Sequence, residues 1–168
     1  GAMVNIKRWA QHLFLPPWAM GRRFPRKVLT AIEEAVRKSE LKHGGEIRFA
    51  VEARLPLHAL RRGQSPRDRA VDLFSHLGVW ETEENNGVLI YVLLADRDVE
   101  IVADRGLNKR ITSAEWEAVC QSMEIHFREG HFEEGSLVGI QGVTRILSLH
   151  FPAHGRNPNE LPDKPTLL

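Results

Sequence analysis

The chain has 168 residues, 42% of them apolar, enough to bury one sizeable core but hardly two. Its single cysteine, Cys120, excludes an internal disulfide and cysteine-rich zinc sites and fits a reducing, cytoplasmic setting. The net charge of +1 hides an asymmetry: residues 1–69 hold 15 Lys and Arg against 6 Asp and Glu, while residues 70–168 hold 8 against 16. That split either steers a basic surface towards an anionic partner or draws the two halves of one domain together. No nucleic-acid motif accompanies it, so nucleic acid is not an expected partner.

In chain order, Gly1-Ala2-Met3 has the look of a tag scar followed by the native start. Residues 4–14 place Ile6, Trp9, Ala10, Leu13 and Phe14 at helical spacing, with Lys7 and Arg8 opposite, which predicts a basic amphipathic helix ended by Pro16. Such a helix docks by its apolar stripe on its own domain or a neighbour, or lies on a membrane surface. Pro25 opens a long helix that buries Val28, Leu29, Ile32, Ala35, Val36 and Ser39, and Gly44-Gly45 read as its left-handed stop. From Glu46 the period is two: Ile47, Phe49, Val51 and Ala53 on one side and Glu46, Arg48 and Glu52 on the other predict a half-exposed strand.

Ser65-Pro66-Arg67-Asp68 is an N-cap, a proline at the first helical position and a first-turn acid, opening a helix that buries Ala70, Val71, Phe74 and Leu77. The run Val88 to Ala95 is apolar on both faces, as a central strand requires, and is too short to span a bilayer. Asp96-Arg97 turns it into a hairpin partner, Asp98 to Asp104. Thr112 and Glu115 have capping-box spacing before a helix burying Trp116, Val119, Cys120, Met123 and Phe127. The last helix, about Phe132 to Phe151, carries Gly135, Gly139 and Gly142 on one stripe, suited to close approach by the sheet or another helix. Pro152, Pro158, Pro162 and Pro165 then mark a flexible tail.

Asn85-Asn86-Gly87-Val88-Leu89-Ile90-Tyr91-Val92, the hairpin Asp96 to Val102, the segment Met123 to Gly130 with Phe127 and Arg128, and Glu133-Glu134-Gly135 to Gly142 together resemble the TPM domain over about residues 25–151. The resemblance implies an α/β fold: a small twisted mixed sheet of three or four strands, including the hairpin, sandwiched by helices. It divides the chain into an N-terminal appendage (1–24), the domain (25–151) and the Pro-rich tail (152–168). Many relatives are exported or membrane-anchored, and some plant members are described as calcium-binding acid phosphatases. This chain, with its basic segment Arg22 to Pro25 and the run His43 to Glu52, resembles instead a cytosolic bacterial branch, which implies envelope-related work. Where exported relatives carry an aspartate after the hairpin, this sequence has the loop Leu107 to Ser113 with Lys109 and Arg110.

Two functional readings follow. In the leading one the domain is a binding or scaffolding module that needs no cofactor, with Lys7, Arg8, Trp9, Arg22 and Arg23 engaging a protein partner or the inner membrane face. In the alternative it is a divalent-metal phosphomonoesterase, with Glu84, Asn86 and Asp104 holding calcium or magnesium and Asp104 and Arg105 as the candidate catalytic pair, Arg105 taking the phosphate. Asp96, Asp98 and Glu100 read as a solvated strand face, Cys120 as a packed thiol, and His43 as a helix C-terminal capping group at a position where the dipole favours the protonated form. His126 and His131, five apart across a helix end, do not have the spacing of a preformed zinc pair.

Overall fold

The computed structural model describes residues 6–153 and 161–168. Gly1-Ala2-Met3, the first two residues of the expected N-terminal helix, and Pro158 of the expected tail lie outside the described residues. Helices α1 (Ile6–Leu13), α2 (Ala19–Arg23) and α3 (Arg26–Ser39) precede strand β1 (Glu46–Glu52). Helices α4 (Leu57–Arg61) and α5 (Pro66–His76) lead to the hairpin β2 (Gly87–Leu93) and β3 (Asp98–Ala103). Then come α6 (Arg105–Asn108), α7 (Ser113–Arg128), α8 (Phe132–His150) and the edge strand β4 (Thr166–Leu167). The sheet order is β3-β2-β1-β4; β2 and β3 are antiparallel, and both neighbours of β1 run parallel to it. This is the expected mixed sheet between helices.

Strand β2 is apolar throughout because both its edges are paired and both its faces are covered. Val88, Ile90 and Val92 join Ile47, Phe49 and Val51 in a core closed by α3, α7 and α8. Leu89, Tyr91 and Leu93 face the other way, into a second core closed by Leu55, Ala59, Leu60, Ala70 and Leu73 around α4 and α5. A parallel β1–β2 pair needs a crossover connection, and α4 with α5 supplies it. Caps read in the sequence form as expected: Ser65 Oγ accepts from Asp68 N at 3.0 Å, and Thr112 with Glu115 closes a capping box. The glycine stripe of α8 faces α7, where a Cβ at Gly139 would overlap Met123 and one at Gly135 would lie 2.6 Å from Phe127 Cε1.

Several local expectations are corrected. β1 is interior, not half-exposed: the face carrying Glu46, Arg48 and Glu52 also seats Ala50 in the second core, Glu46 and Glu52 are buried, and β4 pairs with the strand at Ala50 and Val51. Residues 161–168, expected within a flexible tail, seat Leu161 in the second core and pair Thr166 and Leu167 with Ala50 and Val51. Neither Gly44 nor Gly45 has positive φ; a Cβ on Gly45 would lie 2.9 Å from Leu147 Cδ1, so packing against α8 explains that glycine. Helix α5 buries Leu73 and leaves Val71 47% exposed.

Beneath the C-terminal segment, Glu40 Oε2 accepts from Ile47 N at 2.8 Å. Burial pushes its carboxyl well above the usual range, and the neighbouring Glu46 and Asp163 carboxyls push the same way. A raised carboxyl means that the folded protein keeps a proton the unfolded chain releases, so this group costs stability increasingly as pH rises above the ordinary carboxylate range. Glu40→Gln supplies a neutral isostere that still accepts from Ile47. Denaturant melts at pH 8 should therefore show the variant more stable than the parent, with the difference vanishing in acid.

Candidate functional site

The residues read as metal ligands sit at the end of the sheet where β2 begins and β3 ends, since Asp104 N donates to Gly87 O at 2.9 Å. Asn86 is buried; its Nδ2 donates to the Gly44 carbonyl, its backbone N to Thr82 Oγ1 at 3.1 Å, and its Oδ1 has no hydrogen-bond partner. Asp104 caps α6, one oxygen accepting from Arg105 N at 2.7 Å and the other without a partner. Glu84 and Arg105 are exposed. Calcium takes about six to eight oxygens. Among the described residues no three acidic or histidine donors converge at this edge. Asn86, with its Nδ2 tied to Gly44, and Asp104, with one oxygen tied to its own helix, each leave one side-chain oxygen at this edge.

The N-terminal residues divide differently from the sequence pattern. Arg8 Nη2 lies 3.0 Å from Asp96 Oδ2, and His12 Nε2 donates to Asp96 Oδ1 at 2.6 Å while its Nδ1 accepts from Leu55 N. Burial disfavours the Asp96 carboxylate, but the bonds from His12 and Arg8 outweigh it and hold the group below its usual range. This polar clasp, with Trp9 against the second core, chooses the docked face of α1. The expected apolar stripe is split: Trp9 and Ala10 are partly covered, whereas Ile6 is 79%, Leu13 52% and Phe14 81% exposed. Lys7 and Arg22 are also exposed, Arg22 lying over the ring of Trp18 at 5.4 Å.

Arg23 turns inward instead. With Arg97 and Arg128 it lines a cavity of about 300 Å3 floored by the end of β2 and by Phe127 and Phe132. Arg23 lies 5.7 Å from the Phe132 ring centroid, and Phe24, Phe127 and Phe132 pack edge-on and stacked behind it. Partial burial and the nearby Arg97 charge together lower the Arg23 pKa. The acidic side chain on the wall is Glu124, pushed up to about 7 by burial and by hydrogen bonding and repulsion with Asp98. Arg97 holds φ +54° in the turn 94–97, a region that bulky residues rarely adopt. Nothing in the sequence joined these groups, which come from α2, the hairpin turn and α7.

The remaining titratable candidates resolve clearly. Asp98 and Glu100 face α7 rather than bulk water: burial, then Asp98, raises Glu100 to about 8, with Arg67 opposing and Glu117 adding. Cys120 is buried, and desolvation followed by the Glu100, Glu124, Glu117 and Asp98 charges raises its thiol far above the reactive range. His43 is neutral, not protonated: burial lowers it to about 4, Gly45 N donates to its Nδ1 at 3.1 Å and its Nε2 bonds Ser39 Oγ at 2.8 Å. His126 and His131, despite their spacing, are brought together with Glu134 at the α7–α8 turn.

Comparison with known proteins gives a consistent frame. The family described as the TPM domain matches residues 24–146. The NMR structure of BA42 protein from the psychrophilic bacterium Bizionia argentinensis superposes with a TM-score of 0.73 at 30% identity, covering 84% of this chain and 93% of that one. The N-terminal domain of a P. gingivalis protein, 24% identical with a TM-score of 0.59 over 78% of this chain and 82% of its own, shares the fold. No curated protein matches.

Proposed function

Because this chain belongs to the TPM domain family, we propose that it uses the fold as a binding module for an anionic amphiphile, a ligand with an oxyanion head and an apolar body. The observation that carries this reading is the cavity that Arg23, Arg97 and Arg128 line together with Phe127 and Phe132. Guanidinium groups match carboxylate and phosphate oxygens in a bidentate fork, and an aromatic floor excludes the water that would weaken the pairing. Two cations facing each other repel, so an anion between them relieves a cost already present in the free protein. Arg97 adds a second sign. Glycine or asparagine would fit its backbone more easily, and a bulky side chain kept at a left-handed position points to a use for that side chain.

A lipid is the favoured source of such a ligand. Before Glu33 the sequence has no acidic residue but carries Lys7, Arg8, Arg22, Arg23, Arg26 and Lys27. The same segment presents Ile6, Leu13, Phe14 and Trp18 outward, the combination by which helices settle on anionic membranes. No helix among the described residues is long and apolar enough to cross a membrane, and a peripheral position is what this reading assigns.

Calorimetry with octanoate, whose head stays charged between about pH 6 and 8, tests the pocket, and sedimentation with phosphatidylglycerol against phosphatidylcholine vesicles tests the source. Octanoate should bind saturably and more tightly as pH falls through about 7, where Glu124 takes up its proton and stops competing for Arg128. Arg97→Gly should abolish binding while leaving the urea midpoint nearly unchanged. No octanoate binding, or binding indifferent to Arg97→Gly, would overturn the pocket assignment. Octanoate binding without pelleting on phosphatidylglycerol would keep the pocket and place its ligand in solution.

A further inference from the structure

The α7–α8 turn carries a group of donors that the anion pocket does not use. Helix α7 ends in a Schellman motif: Gly130 adopts φ +81°, its N donates to Phe127 O at 3.0 Å, and His131 N donates to His126 O at 2.9 Å. In that motif the residue three places before the helix end and the second residue beyond it lie side by side, ordinarily as an apolar pair. Here both are histidines. The five-residue interval, unsuited to a ligand pair on a continuous helix, becomes a short distance once the chain reverses at Gly130. Glu134, in the first turn of α8, completes the arrangement.

The ligand atoms of His126, His131 and Glu134 all lie within 4.8 Å of one another. Glu134 Oε2 is 3.8 Å from His126 Nδ1 and 3.9 Å from His131 Nδ1, while Glu129 Oε2 is 3.5 Å from His131 Nδ1. Donors around a tetrahedral zinc stand roughly 3.3 Å apart, given its ~2.0–2.1 Å bonds. Small side-chain rotations close that gap, and His131 and Glu134, 52% and 68% exposed, are free to make them. His126 Nδ1 is enclosed and has no hydrogen-bond partner, and with the ring proton on Nε2 it presents a lone pair that a cation would satisfy. Weak His–Glu ion pairing accounts for the proximity of the carboxylate but leaves that nitrogen without a bond.

We propose that His126, His131 and Glu134 form a binding site for a first-row transition-metal dication, with zinc the expected ion. Two imidazoles and one carboxylate suit zinc and disfavour calcium and magnesium, which prefer all-oxygen shells. Three protein ligands leave a fourth position for water or for Glu129. Phe127, Arg128, Gly130 and Phe132, in the same turn, line the arginine cavity, so a bound ion would brace one of its walls. The assignment stands on its own donors and does not depend on what the cavity binds.

Titration calorimetry of the full chain with zinc, calcium and magnesium chlorides, repeated on His131→Ala and Glu134→Gln, is the test. One zinc per chain should bind, calcium and magnesium should not compete, and each exposed-ligand variant should weaken zinc by roughly tenfold or more. Cobalt, as a spectroscopic substitute, should show the visible absorption of a tetrahedral nitrogen and oxygen site, and lose it in both variants. Absence of zinc binding, or zinc and cobalt signals unchanged in both variants, would overturn the site.

Discussion

Arg69→Met should lower folding stability by about 3 kcal/mol, near the lower end of what removing one partner of a buried ion pair costs. Arg69 Nε and Nη2 grip the two Glu52 oxygens at 2.9 and 2.8 Å, and Tyr91 OH donates to Glu52 Oε1 at 2.6 Å. Glu52 lies on the interior strand β1 and is 4% exposed, so without Arg69 its charge stays inside the second core. Burial, then the Glu52 charge, drives the Tyr91 hydroxyl far above its ordinary pKa, so Tyr91 can donate but cannot balance the carboxylate. Urea unfolding would read the loss as a lower midpoint. The double variant Glu52→Gln/Arg69→Met should recover most of it, because the removed charge no longer needs a counterion. A single variant as stable as the parent would mean that the carboxylate finds water or another partner.

Gly87→Ala should cost a comparable amount, about 3 kcal/mol, at the upper end of what overpacking produces. Gly87 opens β2 beside Glu46 of β1, and its carbonyl accepts from Asp104 N at 2.9 Å, so pairing fixes the backbone from both sides. A Cβ there would overlap the Val79 carbonyl oxygen, and a peptide group, unlike a flexible side-chain tip, cannot move aside without opening the loop. Gly21→Ala is the matched control: no atom lies within 4 Å of the added methyl, and the helical α2 backbone should tolerate or gain from it. Equal midpoints for the two variants would contradict the packing account.

What the sequence disclosed and what it hid follow from how far apart the deciding residues lie. The Thr112–Glu115 box, the Ser65 cap and the apolar run of β2 are written within a few residues of one another, and each is where the pattern puts it. The docked face of α1 is not legible in its own spacing because the Asp96 that clasps His12 and Arg8 is 84 and 88 residues away, and the clasp splits the apolar stripe, taking Trp9 inward and leaving Ile6, Leu13 and Phe14 outside. Glu46 and Glu52 alternate like a solvent face, yet their surroundings come from α3, α5 and β2. Strand β4 has only two residues, too few for a period. The arginine cavity draws on three elements that share no motif. The histidine pair was hidden for a different reason: its spacing has meaning only once a left-handed turn at Gly130 is specified.

An NMR titration of backbone amides with octanoate, on the parent and on Arg97→Gly, tests the binding-module account most directly. Saturable shifts should concentrate at Arg23, Arg97, Gly130 and Phe132 and disappear in the variant, which should remain folded. Shifts confined to the opposite end of the sheet, around Asn86 and Asp104, or shifts that persist in Arg97→Gly, would contradict it.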